Sequence, residues 1–130
     1  MLKKYFILLL NMIIYYRREG NTCKTRHPTQ RFMKIKQFHN KNQFIIIDSK
    51  NNEYYFQSYD SMVAKVKAHT YPTQLYLNKD WDYSNTTRKH LYLFMQEHCY
   101  SIYEQLGDNK RQSIIKLIEN GTIQIDETLD

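Results

Sequence analysis

A change in the spacing of apolar residues near residue 80 constrains the fold most strongly. In residues 33–77, apolar and polar side chains alternate in short runs that are separated by turns rich in Asn and Asp. From residue 85 onward, apolar side chains recur every three or four residues. Alternation is typical of strands with one buried face, and the longer period is typical of amphipathic helices. We therefore predict an α+β fold, in which a small antiparallel sheet of four to five strands is followed by two C-terminal helices packed on one face.

The predicted strands are short and are joined by polar turns. Two of them form a hairpin through residues 48–52, where Asn and Asp favour the backbone angles of a tight turn. Segment 61–67 is compatible with either a strand or a single helical turn, and 122–126 is a candidate for one last short strand. The other predicted strands are 33–38, 43–48, 53–57 and 73–77.

The first predicted helix covers residues 85–106. Ser84 or Asn85 caps its start by accepting from free backbone amides, and Gly107 supplies the left-handed stop. A second helix follows Asp108 as its cap. The predicted core consists of Phe44, Ile45, Ile47, Tyr55, Val63, Leu75, Leu77, Trp81, Leu91, Phe94, Met95, Ile102, Leu106, Ile114, Ile115 and Ile118.

The positive charge of the chain is confined to its first quarter. The formal net charge of the 130 residues is +6. Residues 1–32 contain seven basic side chains and one acidic side chain, whereas residues 33–130 contain twelve of each. We therefore predict a basic, partly apolar N-terminal extension over 1–32 and a single α+β domain over 33–130. A basic extension is weaker evidence for nucleic-acid binding than a basic stripe on a folded face.

Three interpretations of residues 1–32 stay open. In the first, Met33 is the physiological start. In the second, the apolar run 5–16 touches a membrane, although it is shorter than the roughly twenty residues that a membrane span needs. In the third, this run packs on the domain. We expect a cytoplasmic protein, and membrane association through residues 5–16 is the alternative. No small-residue cleavage site of a signal peptide follows the run.

Two segments carry a resemblance to a known type of domain. They are Tyr55-Phe-Gln-Ser-Tyr-Asp-Ser61 and Trp81-Asp-Tyr-Ser-Asn-Thr-Thr-Arg-Lys-His90. Both resemble an uncharacterised domain of small phage and plasmid proteins of low-GC Gram-positive bacteria, and the Trp-Asp-Tyr-Ser-x-Thr-Thr element is the most specific part. The resemblance covers about residues 33–121. It implies no activity; it implies an accessory role in the cytoplasm of a bacterial cell and a domain that starts near Met33.

The segment that begins at Trp81 is the candidate partner-binding site. Trp81 and Tyr83 offer large rigid contact areas, and Asp82, Arg88 and Lys89 place charges beside them at the start of a helix. The structural alternative is that the tryptophan packs between sheet and helix while a neighbouring carboxylate or hydroxyl caps the helix. We predict a non-enzymatic accessory binding module of a phage or plasmid, which acts by protein–protein interaction on a host or viral protein.

A small nucleic-acid-binding protein is the alternative function. Tyr54, Phe56 and Tyr76 lie on predicted strands and could stack on single-stranded bases, with Lys65 and Lys67 nearby for phosphates. Half-buried strand residues are the simpler interpretation, because the abundance of Tyr follows partly from an AT-rich codon composition.

The sequence predicts no catalytic residue, metal site or cofactor. The histidines are scattered, and Cys23 and Cys99 lack the spacing of zinc ligands. Asp80 and Asp82 lie two residues apart at a turn, where carboxylates commonly serve as turn and cap residues rather than as an acid–base pair. Cys99 is expected to be a buried thiol.

Overall fold

A computed structural model describes residues 33–68 and 70–129. The predictions for residues 1–32, among them the apolar run 5–16 and the question of the start at Met33, lie outside this part. In chain order the elements are β1 (Met33–Phe38), β2 (Asn40–Asp48), β3 (Glu53–Ser58), β4 (Ser61–Lys67), β5 (Gln74–Leu77), α1 (Asn85–His98), α2 (Tyr100–Tyr103), α3 (Lys110–Glu119), β6 (Ile123–Ile125) and a 3-10 turn at Glu127–Leu129.

The strands form one sheet in the order β1-β2-β3-β4-β5-β6. The first five are antiparallel neighbours, and β6 lies parallel to β5. The α+β class is confirmed, but the predicted count of four to five strands was too low. Residues 61–67 do form a strand, and the three helices return the chain to β5 so that the short β6 pairs beside it. A parallel pair needs such a crossover, which local alternation does not reveal.

The helices differ from the prediction at two places. Ser84 caps α1 as predicted, since its Oγ accepts from the Thr87 amide at 3.1 Å. The predicted helix over 85–106 divides at Cys99, whose backbone leaves the helical region at φ −144° and ψ 58°. After this break the short α2 begins at Tyr100, and its Ile102 is buried. The cap of α3 is Asn109, one residue after the predicted Asp108.

The main core lies between the sheet and the helices. Most of the predicted core residues are buried there, but Phe44, Ile47, Ile115 and Ile118 are only partly buried. Phe44 points to the opposite side of the sheet from its neighbour Ile45. Buried residues that the core prediction omitted include Phe38, Ile46, Phe56, Met62, Ala64, Val66, Cys99, Leu117, Ile123 and Leu129.

The reverse side of the sheet carries a second, smaller apolar cluster rather than a uniformly solvated surface. Its buried members are Ile46, Tyr55, Met62 and Leu129. Leu129 belongs to the 3-10 turn, which contacts β4. The chain after β6 therefore folds over the side of the sheet that faces away from the helices.

Candidate functional site

The turn between β5 and α1, residues 78–84, separates the two aromatic residues of the candidate site. Trp81 is only 5 % exposed and packs in the main core, whereas Tyr83 is 57 % exposed. Part of the structural alternative for Trp81 is therefore correct, because it serves as a buried anchor. Of the two aromatic side chains, only Tyr83 is presented to solvent.

Asn78 fixes the start of this turn from a buried position. Its backbone amide donates to the carbonyl of Val63 at 2.8 Å. Its side-chain amide donates to the carbonyl of Met62 at 3.1 Å, and its Oδ1 accepts from the Asp80 amide at 2.8 Å. Buried polar groups that are satisfied in this way hold a single conformation. The turn is thus tied to β4 as well as to the core.

Two arginines fix the end of the turn through Asp82. Nη1 of Arg88 donates to Oδ1 of Asp82 at 2.6 Å and to its backbone carbonyl at 2.9 Å. Nε of Arg111, on α3, donates to Oδ2 of Asp82 at 2.7 Å. Arg88 also donates to the side chain of Asn85. Through Asp82, the two arginines therefore connect the turn to α1 and to α3, and the negative charge of Asp82 is compensated.

Lys89 follows on α1 and is exposed. Thr87, two residues earlier, is buried and its hydroxyl lies 3.0 Å from the hydroxyl of Ser58 on β3. This contact fixes the first turn of α1 against the sheet. Among the five nominated residues, the structure thus exposes Tyr83 and Lys89 and uses Trp81, Asp82 and Arg88 to hold the turn in place.

The residues of the nucleic-acid alternative are divided between the two sides of the sheet. Phe56 has no exposed surface, and Tyr54 stacks on the His98 ring at a centroid distance of 4.7 Å. Tyr76, Lys65 and Lys67 lie on the reverse side. Tyr54 lies opposite Val66 on the helix side, and successive residues of a strand point to opposite faces. The predicted single aromatic face is therefore not formed.

A smaller basic cluster remains on the reverse side. Nζ of Lys65 lies 4.8 Å and Nζ of Lys67 lies 5.5 Å from the centre of the Tyr76 ring. Lys65 also forms an ion pair with Asp126 at 3.6 Å. The pKa of Asp126 is lowered, first by the hydrogen bond from the Thr128 side chain and also by Lys65. Contacts within the domain thus already occupy much of this cluster.

The reactive side chains near α1 are held inside the fold. Burial raises the pKa of the Cys99 thiol to about 12. Burial lowers the pKa of His98, an effect to which Lys36 adds and which Glu97 opposes. His90 lies with Nδ1 at 2.8 Å from the Thr86 carbonyl. Within residues 33–68 and 70–129, no three His, Cys, Asp or Glu side chains are grouped so that they could hold a metal ion.

A model of a family of unknown function, DUF8033, matches residues 29–113. The chain belongs to family DUF8033. This confirms the resemblance to an uncharacterised domain, and the DUF8033 match contains β1 to β5, α1, α2 and the turn 78–84. Searches of curated proteins and of solved structures found no match.

The DUF8033 match ends at residue 113, inside α3, just after Arg111. Sequence reasoning missed this arginine because it lies 29 residues from Asp82 in the chain and no local pattern connects them. It also missed the anchoring role of Asn78. In the part of the DUF8033 chain that the structure describes, no helix has both the length and the apolar character to cross a bilayer.

Proposed function

We propose that this DUF8033 domain is a non-enzymatic accessory binding module of a phage or plasmid, which acts in the cytoplasm by binding a host or viral protein. The observation that carries the proposal is the exposed ring of Tyr83 on a turn whose neighbouring residues are fixed. Tyrosine supplies a large contact area at low conformational cost. A turn that is already ordered loses little further entropy when a partner binds.

The environment of Asp82 supports a contact centred on Tyr83. Asp82 accepts hydrogen bonds from Arg88 and Arg111, so its negative charge is compensated and the three groups together carry one net positive charge. A partner that covers the turn then meets an aromatic ring and Lys89 rather than an uncompensated carboxylate. Interface centres are depleted in charge and enriched in Tyr, which fits this arrangement.

The state of Cys99 supports the non-enzymatic part of the proposal. The thiolate is the nucleophilic form of cysteine, and a pKa near 12 keeps this thiol protonated at neutral pH. Both carboxylate oxygens of Asp82 are engaged by arginines, so this side chain is occupied in fixing the turn. These two groups therefore fit structural roles.

Photo-crosslinking of the full-length chain tests the proposal. A photoreactive phenylalanine analogue replaces Tyr83 in one variant and Tyr100 in a matched control, since Tyr100 is 58 % exposed on α2. We expect position 83 to give one discrete adduct in lysate of the bacterial host, and position 100 to give none. The adduct protein, once identified and purified, should bind the wild-type chain and lose at least tenfold in affinity for Tyr83→Ala. No adduct, or the same adduct from both positions, contradicts the proposal.

The nucleic-acid alternative is supported by the basic cluster that Lys65 and Lys67 form with the ring of Tyr76 on the reverse side of the sheet. Two lysines over an aromatic ring combine phosphate attraction with a stacking surface. A gel shift with single-stranded oligonucleotides at low salt is the test. Binding that weakens steeply with salt and is lost in Lys65→Ala together with Lys67→Ala supports this alternative. Absence of binding at low salt removes it.

The proposed location has its own test. Fractionation of cells that express the full-length chain separates the cytoplasm from the membrane pellet. Recovery in the cytoplasm supports the proposal. Recovery in the pellet, and its loss when charged residues replace part of the run 5–16, supports the alternative of membrane association.

A further inference from the structure

Among the residues that the structure describes, strand β1 forms an edge of the sheet. In the part of the chain that the structure describes, β1 pairs with β2 on one side only and stands first in the strand order. Residues 34–37 are all exposed, including Ile35 at 43 %. An edge strand presents a row of backbone donors and acceptors that can pair with another chain. This edge is therefore a surface on which a strand can be added.

The side chains of β1 give this edge a distinctive pattern. Lys34 and Lys36 lie opposite Ile47 and Ile45 and point to the helix side, whereas Ile35 lies opposite Ile46 and points to the reverse side. Within residues 33–68 and 70–129, neither lysine forms an ion pair. The edge thus presents basic, apolar and basic side chains in succession, and both charges are available to an added strand.

The same pattern disfavours pairing between two copies of this chain. Two copies can pair antiparallel through β1 with their helices on the same side of the joint sheet. Even-numbered residues of one copy then lie opposite even-numbered residues of the other, and odd-numbered residues lie opposite odd-numbered ones. Registers centred near Ile35 then place a lysine of one copy opposite a lysine of the other. Like charges directly opposite each other destabilise a strand pair. An acidic strand instead places its carboxylates opposite the lysines of β1, and opposite charges stabilise a strand pair.

We propose that the free edge of β1 binds an extended acidic segment of another protein as an added antiparallel strand. Carboxylates two residues apart in that segment lie opposite Lys34 and Lys36, and the apolar residue between them lies opposite Ile35. Glu97, whose Oε1 lies 3.2 Å from Nε2 of His39, repels acidic residues beyond the C-terminal end of β1. The edge therefore selects an acidic–apolar–acidic pattern at residues 34–36.

This inference rests on the proposed function, since it gives the binding module a partner chemistry, but it concerns a surface other than the turn 78–84. Backbone pairing supplies affinity in strand addition, and alternate side chains supply specificity. The two surfaces can consequently be tested with separate variants.

Titration of the ¹⁵N-labelled full-length chain with a blocked Glu-Val-Glu-Val-Glu peptide tests the inference by NMR. We expect chemical-shift changes that are concentrated at the amides of β1 and β2. In the double variant Lys34→Glu and Lys36→Glu, the affinity for this peptide should fall by about tenfold or more, because two attractive pairs become repulsive. The same variant should gain affinity for a blocked Lys-Val-Lys-Val-Lys peptide.

The matched control is the double variant Lys110→Glu and Lys116→Glu, which changes the net charge equally on α3. It should keep the affinity of the wild type for the acidic peptide. An equal loss in both double variants, shift changes away from β1, or no binding at millimolar peptide overturns the inference. Retained peptide binding in Tyr83→Ala, together with lost partner binding, supports both proposals. If the wild type does not bind the peptide but its binding to the partner still depends on Tyr83, this inference alone is overturned.

Discussion

The helix side and the reverse side of the sheet bury apolar residues to different extents. On the helix side, Phe56, Leu91 and Phe94 are fully buried in a continuous core that includes residues of α1, α2 and α3. On the reverse side, a cluster of four buried residues is bordered by Lys65 and Tyr76. Burial of apolar area is the main source of stability, so the helix side contributes most of it.

This difference shows which parts of the domain are free to bind. The helix side is committed to packing, and part of the reverse side is occupied by the 3-10 turn and by the Lys65–Asp126 ion pair. The turn 78–84 and the edge strand β1 lie outside both clusters apart from their anchors Trp81 and Phe38 and the partly buried Met33. Variants of the two sides should therefore affect stability, and variants of Tyr83 or Lys34 should affect binding.

Phe56→Ala is expected to have the largest effect on stability. Removal of this fully buried ring leaves a cavity between β3 and α1, which costs about 3–5 kcal/mol of unfolding free energy. Urea denaturation followed by circular dichroism measures the change. A loss below about 1 kcal/mol would show that the helix side is less well packed than the burial indicates.

Leu129→Ala tests the reverse side. Leu129 is buried but packs in the smaller cluster, so we expect a loss of about 2 kcal/mol, below that of Phe56→Ala. The same denaturation experiment applies, with Glu127→Ala as a neighbouring control at an exposed position of the turn. A cost equal to that of Phe56→Ala would remove the distinction between the two sides.

Asp82→Asn tests the ion pairs that fix the turn. The side chain of Asp82 is 23 % exposed, so solvent screens its pairs with Arg88 and Arg111, and we expect a loss of about 1 kcal/mol. The loss should shrink in 1 M salt because salt screens exposed charges. Asp108→Asn, at an exposed position between α2 and α3, is the control. A loss that is independent of salt would indicate that hydrogen-bond geometry rather than charge holds the turn.

His98 predicts a smaller dependence of stability on pH. Its pKa is lowered in the folded state, chiefly by burial, so the unfolded chain binds a proton more readily. The stability that neutral His98 contributes is fully present above the unfolded pKa near 6.5. It is lost as the pH falls below that value and through the lower folded pKa. We expect His98→Phe, which keeps a ring beside Tyr54, to flatten the decline of stability between pH 7.5 and 5.5. If the slope of unfolding free energy against pH is unchanged in this variant, a group other than His98 takes up the proton.

Tyr83→Ala is expected to change the unfolding free energy least, by no more than about 0.5 kcal/mol, because the ring is exposed. Thermal and urea denaturation of the full-length variant measure this. A large loss would mean that Tyr83 supports the fold, and any binding defect would then have a structural cause.

Local sequence signals predicted the elements of the fold well. The three- and four-residue spacing around Leu91 and Phe94, with Ser84 as the cap, gave the start of α1 correctly. The alternation of apolar and polar residues predicted the first strands, because a half-buried strand buries every second side chain. The break at Cys99 was not predictable, since the three- and four-residue spacing of apolar side chains continues across it to Ile102 and Leu106.

The candidate site was predicted only in part, because its geometry depends on contacts between distant residues. The sequence places Trp81 and Tyr83 in one turn, but which ring faces the core is decided by the sheet and helices around it. The contribution of Arg111 depends on how α3 packs beside the turn. The nucleic-acid alternative placed Phe56 on an exposed aromatic face, because the sequence of β3 alone does not show which of its two faces the helices cover.

Hydrogen–deuterium exchange of the full-length chain, alone and with the partner identified by crosslinking, tests the central claim most directly. The claim is that the turn 78–84, with Tyr83 at its surface, is the contact for a protein partner. We expect the complex to slow exchange in residues 78–89, with a second protected segment at 33–38 if the partner also adds a strand. Protection confined to α2 and α3, with unchanged exchange in residues 78–89, would contradict the claim.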